Sequence, residues 1–243
     1  MTQVIAFSLI NGFSLLAGAL IGVYFHLKQK TIAAVMAFGS GVLICALTFG
    51  LIEEAFGHGG FDAVIIGFLV GGLLYLIGDR TIHYLGGRKH KRHQHSPAEL
   101  DISGLAITLG SILDGIPESV ALGIALFANR TVGFIMIAAI VISNIPESIA
   151  SINGLKKEKF SAKSIFSIWI SVGIVVFLST ILSFIFLHDL NPNTIGILDS
   201  LAAGAILAML AGSMMPEAYE EGGYAVSILT IIGFLVTFVI SRL

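Results

Sequence analysis

Two short stretches carry acids where an apolar chain should carry none. "DGIPES" (114–119) and "SNIPES" (143–148) share the run I-P-E-S, and each lies inside a long hydrophobic segment. Positions four apart share a helix face, so Asp114 points with Glu118 and Ser143 points with Glu147. If the two segments are neighbours, three carboxylates and Ser143 face a common point, with Asn144 one position round. Such a donor set binds cations. An ionised aspartate at the centre of a bilayer-spanning helix costs about 2.5–3.5 kcal/mol, and a divalent ion offsets that cost by neutralising several oxygens at once. Pro117 and Pro146 remove backbone donors, which frees the carbonyls of Leu113 and Ile142 beside the acidic face. Inside a membrane, freed carbonyls are tolerated where they line a cavity or meet polar groups. A packing kink with hydrogen-bonded acids is the plainer reading of one such motif; its duplication favours the ion site.

The elements that must hold these residues follow from composition. Of 243 residues, 56% are hydrophobic and 12% charged, with a mean hydropathy of +0.97, which excludes an ordinary soluble domain. Twenty-eight glycines suit closely packed membrane helices. The net charge of −2 says nothing about partners, no nucleic acid is expected, and Cys45 alone can form no internal disulfide. Eight apolar segments of spanning length stand at about 4–25, 32–56, 61–84, 102–127, 131–154, 164–187, 195–219 and 223–240. Their length and continuity argue against a β-barrel. The expected fold is therefore an all-α polytopic membrane protein, a single transmembrane domain over 1–243. Helices 1–3 fall at about 4–84, a basic loop at 85–101, helices 4–5 at 102–154 and helices 6–8 at 164–240. The first segment lacks a charged start and a small-residue cleavage site, so it is expected to be a retained helix.

Lysine and arginine set the orientation. Lys28 and Lys30, then Arg88, Lys89, Lys91 and Arg92, then Lys156, Lys157, Lys159 and Lys163 fall in links on one side, ten of the thirteen basic residues. By the positive-inside rule that side is cytoplasmic, and both termini lie outside it. The chain also repeats itself: residues 41–60 and 204–223 match at six of twenty positions, including Glu54 with Glu217 and both closing glycines. Helices 2 and 7 run in opposite directions, so these would be inverted repeats, a construction common in transporters.

With these motifs the sequence resembles the ZIP (Zrt, Irt-like) family of divalent metal transporters, whose fourth and fifth helices carry motifs resembling H-N-x-P-E-G and H-x-x-P-E. The resemblance extends over the whole chain, in the eight spans, the outside termini and the histidine-bearing link, and is distinctive only in the paired P-E motifs. It implies a bundle of three, two and three helices, the last three related to the first by inversion. It also implies metal ligands at Asp114, Glu118, Ser143 and Glu147, with Asn144 beside a second metal. Asp114 and Ser143 stand where the family often has histidine, and Gly115 where it has asparagine. A site of carboxylate, hydroxyl and amide oxygens is harder than one with imidazole, which shifts preference toward Mn²⁺, Fe²⁺ or Mg²⁺, although zinc still binds oxygen sites well.

Further acids lie toward the segment ends. Glu53 and Glu54 close helix 2 beside His58 and Asp62, Glu217 closes helix 7 with Glu220 and Glu221, and Asp199 stands near the start of helix 7. Glu53, Glu54, Asp199 and Glu217 are candidates to gather cations at the two mouths; solvated helix ends are the plainer account, above all for Glu220 and Glu221. His90, His93 and His95 in the link after helix 3 could capture metal, although a basic loop that fixes topology and meets anionic lipid explains them more simply. The expected function is transport of zinc, manganese or iron through the carboxylate-rich midplane toward the cytoplasm, by alternating access, in the cell (plasma) membrane. The metal is substrate rather than cofactor. The expected partners are the metal and the lipid bilayer, with a homodimer left open. No enzyme is expected: H-E-x-x-H is missing and no serine–histidine or cysteine–histidine pairing stands at membrane depth. The alternatives are a proton-coupled carrier or channel for another cation, and a metal-binding membrane protein that does not transport.

Overall fold

A bilayer offers no hydrogen-bond partners, so each spanning segment must satisfy its own backbone, and an apolar chain of this length does so as helix. The computed structural model describes residues 1–84, 104–128, 130–187 and 190–242. Over these the chain forms α1 (Thr2–Tyr24), α2 (Gln29–Ala46), α3 (Glu53–Tyr84), α4 (Gly104–Ala128), α5 (Arg130–Lys157), α6 (Ala162–Phe186), α7 (Pro192–Met209), α8 (Met215–Gly222) and α9 (Ala225–Ser241), and the described residues contain no strand. Local signals set several starts. Ser161 caps α6 by accepting from the Ser164 N–H at 3.2 Å, and Asn191 caps α7 by accepting from the Thr194 N–H at 2.9 Å, with Pro192 in the first turn where its missing N–H costs nothing.

Among the described residues, six helical stretches are long and apolar enough to cross a membrane, and Ala225–Ser241 is a shorter apolar helix. The distribution of side chains agrees with an integral membrane protein. Phe13, Leu69, Ile77, Phe186 and Ile228 are exposed, while Asn11, Asp114, Glu118, Ser143, Asn144 and Asp199 are buried. In water that arrangement would be inverted; in lipid the apolar exterior is solvated and the polar groups gather inside. The loop holding His90, His93 and His95 lies outside the described residues.

The expected segments 32–56 and 61–84 fall on one helical stretch broken at Gly60, whose φ of 65° and ψ of −161° are closed to residues with a Cβ. Gly223, its partner in the repeat, has φ 59° and ψ −144°. Two π-helical turns, Leu47–Ile52 between α2 and α3 and Leu210–Met214 between α7 and α8, also occupy equivalent places in the two repeats. In the first, Thr48 Oγ1 donates to the Ile44 carbonyl at 2.7 Å, a local partner for backbone next to the altered ladder.

The helix contacts come in exchanged pairs. α3 packs on α7 as α9 packs on α2, and α1 packs on α5 as α6 packs on α4. Gly71 and Gly204 meet the carbonyls of Leu201 and Phe68 at the first of these interfaces, and Gly41 and Gly233 meet those of Thr230 and Phe38 at the second. A methyl group at any of the four would overlap backbone, so these crossings depend on glycine. α1 and α6 cross at Gly12 and Gly173, each facing the carbonyl oxygen of the other. On the side of the bundle where α1 ends, Lys156 donates to the Val23 carbonyl at 2.7 Å, which ties the end of α5 to the end of α1.

Candidate cation site

The two proline-containing segments are neighbours. α4 packs directly on α5, and both helices run through their prolines, Pro117 and Pro146, without a break in the assigned helix. The serines that end the two motifs do the same work. Ser119 Oγ donates to the Gly115 carbonyl at 2.6 Å, and Ser148 Oγ donates to the Asn144 carbonyl at 2.7 Å. Each adds a side-chain hydrogen bond to the carbonyl four residues back, on the turn that holds the proline.

Between the motifs, Ser143 Oγ donates to Glu118 Oε1 at 3.1 Å across the α4–α5 interface. The same hydroxyl lies 3.0 Å from the Ile140 carbonyl. A serine has one hydrogen to give, so the bond to Glu118 is shared and the carboxylate keeps capacity for a cation. Glu118 is 1% exposed and Ser143 0%. Asp114, one turn before Glu118, is near enough for the two carboxylates to interact. It accepts from the Tyr75 hydroxyl of α3 at 2.6 Å. Glu147, one turn beyond Ser143, is partly buried and has interactions of its own.

Asn144 has a different setting. Its Nδ2 donates to Asn11 Oδ1 at 3.0 Å and to Ser14 Oγ at 2.9 Å, both on α1. Asn11 in turn donates to Ser119 Oγ at 3.1 Å and reaches Thr180 Oγ1 on α6 at 3.5 Å. The amide of Asn144 is thus committed to a buried polar network that joins α1, α4, α5 and α6. One residue round from Ser143 is one helix face away, and that face looks at α1.

Of the acids expected at the mouths, Glu53 is 57% exposed and lies 3.8 Å from Arg242, a solvated pair. Glu54 and Glu217 are partly buried, Glu220 and Glu221 exposed. Asp199 is buried in α7 and lies 3.4 Å from His58 Nδ1 on α3, with Glu54 close enough to act on both. Among the described residues, no three His, Cys, Asp or Glu side chains are arranged to hold a metal ion. Tyr75, Asn11, Ser14, Ser119 and Thr180 were not singled out by the sequence. Asn11 carried a usable signal, being an amide inside an apolar span, while Tyr75 carried none. Compared with known proteins, the chain matches no family model and no curated protein sequence.

Proposed function

We propose that this chain transports divalent metal cations, with zinc, manganese or iron as substrate, through a site between α4 and α5 formed by Asp114, Glu118, Ser143 and Glu147. The observation that carries this reading is the buried contact of Glu118 with Ser143 across the interface of two proline-bearing helices, with Asp114 beside it. Carboxylates kept dry at such a point need a compensating proton or cation, and a divalent ion shared between them supplies it. On this reading the break at Gly60 divides the Gln29–Tyr84 stretch into two spans and the chain has eight, in a three, two and three arrangement. The exchanged helix pairs, the paired π turns and the paired glycines at 60 and 223 support an inverted repeat of the kind that rocks between outward and inward states. The contact of Lys156 with Val23 supports a single basic face at the α1–α2 and α5–α6 links, which the positive-inside rule assigns to the cytoplasm, with the termini outside and the protein in the plasma membrane. The resemblance of the paired P-E motifs to those of the ZIP family points the same way, and no enzymatic chemistry is assigned to these residues.

Asn144 has no ligand role in this scheme; it fixes α5 against α1. A second reading, in which the same acids carry protons for a coupled carrier, is favoured by one observation, that no three acidic or imidazole groups converge as a finished metal site among the described residues. Flux of Mn²⁺ into proteoliposomes separates the two. Metal entry should be lost in Glu118→Ala and in Glu147→Ala, and Zn²⁺ should compete with Mn²⁺ in the unaltered protein. Unchanged Mn²⁺ flux in both variants refutes metal transport through this site. Proton flux that is lost in the variants yet indifferent to metals selects the second reading.

A further inference from the structure

Asp199 is 1% exposed, and neither of its carboxylate oxygens makes a hydrogen bond. Facing it across the α3–α7 interface, His58 Nδ1 stands 3.4 Å from Asp199 Oδ2, and that nitrogen too is buried without a hydrogen bond. A nitrogen and an oxygen that share a proton stand about 2.7–3.2 Å apart. Two donors bound to one metal at roughly 2.0–2.2 Å each stand about 3.0–3.5 Å apart at ordinary bond angles. The observed spacing is longer than a shared proton allows and falls in the second range, which an ion pair also spans. Glu54, one turn before His58 and partly buried, adds negative charge that acts on both residues.

The repeat supplies an internal control. Met36 precedes Gly41 by the same step as Asp199 precedes Gly204. It is 2% exposed and belongs to the hydrophobic core. The fold therefore fills this position with an apolar side chain in one half, so packing does not require an acid in the other. The imidazole is confined to one copy as well, since Glu221 stands where the second repeat would have its His58. A dry carboxylate without hydrogen bonds, set opposite an imidazole at a place where methionine packs, has the character of a ligand pair.

We propose that Asp199 and His58 bind a divalent cation at the Gly60 end of the bundle, with Glu54 supplying charge and water completing the coordination, as a site separate from the α4–α5 centre. One mixed nitrogen and oxygen pair with open positions suits a cation that must also leave, as at the entrance or exit of a path. This inference rests on the reading that the chain handles divalent cations, and the test keeps the two apart by working in a Glu118→Gln background. Protein in lipid nanodiscs is titrated with Co²⁺, whose visible absorption reports imidazole coordination. In that background, His58→Gln and Asp199→Met should each remove the absorption that depends on His58 and weaken binding at least about tenfold, and Asp199→Met should melt no lower than its parent. Co²⁺ binding unchanged in either variant overturns the site. If Asp199→Met does not fold, Asp199→Asn takes its place under the same criterion. Loss of all Co²⁺ binding in Glu118→Gln alone also overturns it while leaving the central site standing. Binding that depends on His58 together with Mn²⁺ flux indifferent to Glu118 supports this site and removes the central one.

Discussion

Whether Asn144 is a metal ligand or a structural amide can be decided by a double-mutant cycle with Asn11. Asn11→Ala deletes the bond received from Asn144 at 3.0 Å and the bond given to Ser119 at 3.1 Å, along with the longer contact to Thr180. Asn144→Ala deletes the same bond to Asn11 and one to Ser14 at 2.9 Å. Hydrogen bonds between membrane helices contribute about 0.6 kcal/mol on average and up to about 1.7, so two good bonds set a loss of about 1–3 kcal/mol for each variant. Because one bond is common to both, the double variant should lose less than the sum by about 0.6–1.7 kcal/mol, the worth of that bond. Reversible unfolding in mixed micelles titrated with dodecyl sulfate measures all four corners of the cycle. Additive losses, or a loss below about 0.5 kcal/mol for Asn144→Ala, would refute the network. A metal affinity that drops in Asn144→Ala while stability stays level would return this residue to the ligand set.

Tyr75→Phe keeps the ring in place and removes only the hydroxyl that donates to Asp114 at 2.6 Å. A hydrogen bond contributes about 0.5–1.5 kcal/mol, so the melting temperature of metal-free protein should fall, and Mn²⁺ affinity measured by equilibrium binding should drop about 10–100-fold as Asp114 loses its orienting partner. Gly60→Ala and Gly223→Ala place a Cβ in a backbone region open only to glycine, at positions where a Cβ would meet nothing within 4 Å. Each should cost about 1–3 kcal/mol of stability from backbone strain alone, read by the same dodecyl sulfate titration, and a neutral result at both would show that the helix break is set elsewhere.

The helical class was legible because hydrophobic length in a bilayer leaves the backbone no other choice. The gap between the expected segments 32–56 and 61–84 was legible for the same reason, and the break falls there, at Gly60. The four-residue period put Glu118 and Ser143 within reach of a common point if the two motif helices were neighbours, and α4 does pack on α5 with these two in contact. The π turns were not legible, since a change from an i−4 to an i−5 ladder leaves no mark in composition. The place of Tyr75 was hidden for a related reason: in an apolar run, an aromatic that faces lipid and one that bonds an acid look alike. Asn144 was placed one position round from the acids, which is correct as angle. Angle alone did not reveal that α1 waits on that face with Asn11 and Ser14. His58 and Asp199 are separated by most of the chain, and only the packing of α3 on α7 joins them.

The two repeats share their backbone features and differ in their side chains, and the difference is informative. Gly60 with Gly223 and the two π turns occur in both halves because each hairpin needs the same geometry to form. The serines at 119 and 148 likewise make the same back-bond, to the carbonyl four residues earlier, in each proline-bearing helix. Features that serve folding are therefore duplicated. Asp199 against Met36, His58 against Glu221 and Asp114 against Ser143 are not, although each pair occupies equivalent ground. A carrier made of two like halves presents one mouth to each side of the membrane, and those mouths meet different ion concentrations and potentials. Identical side chains at both would bind a cation equally at entry and exit, and would leave the two mouths no means of discriminating differently between ions. On the proposed transport reading, the positions where symmetry fails are the ones where selectivity can reside, which places Asp114 and Asp199 ahead of the shared glycines and serines as sites whose substitution should change what is carried rather than whether the chain folds.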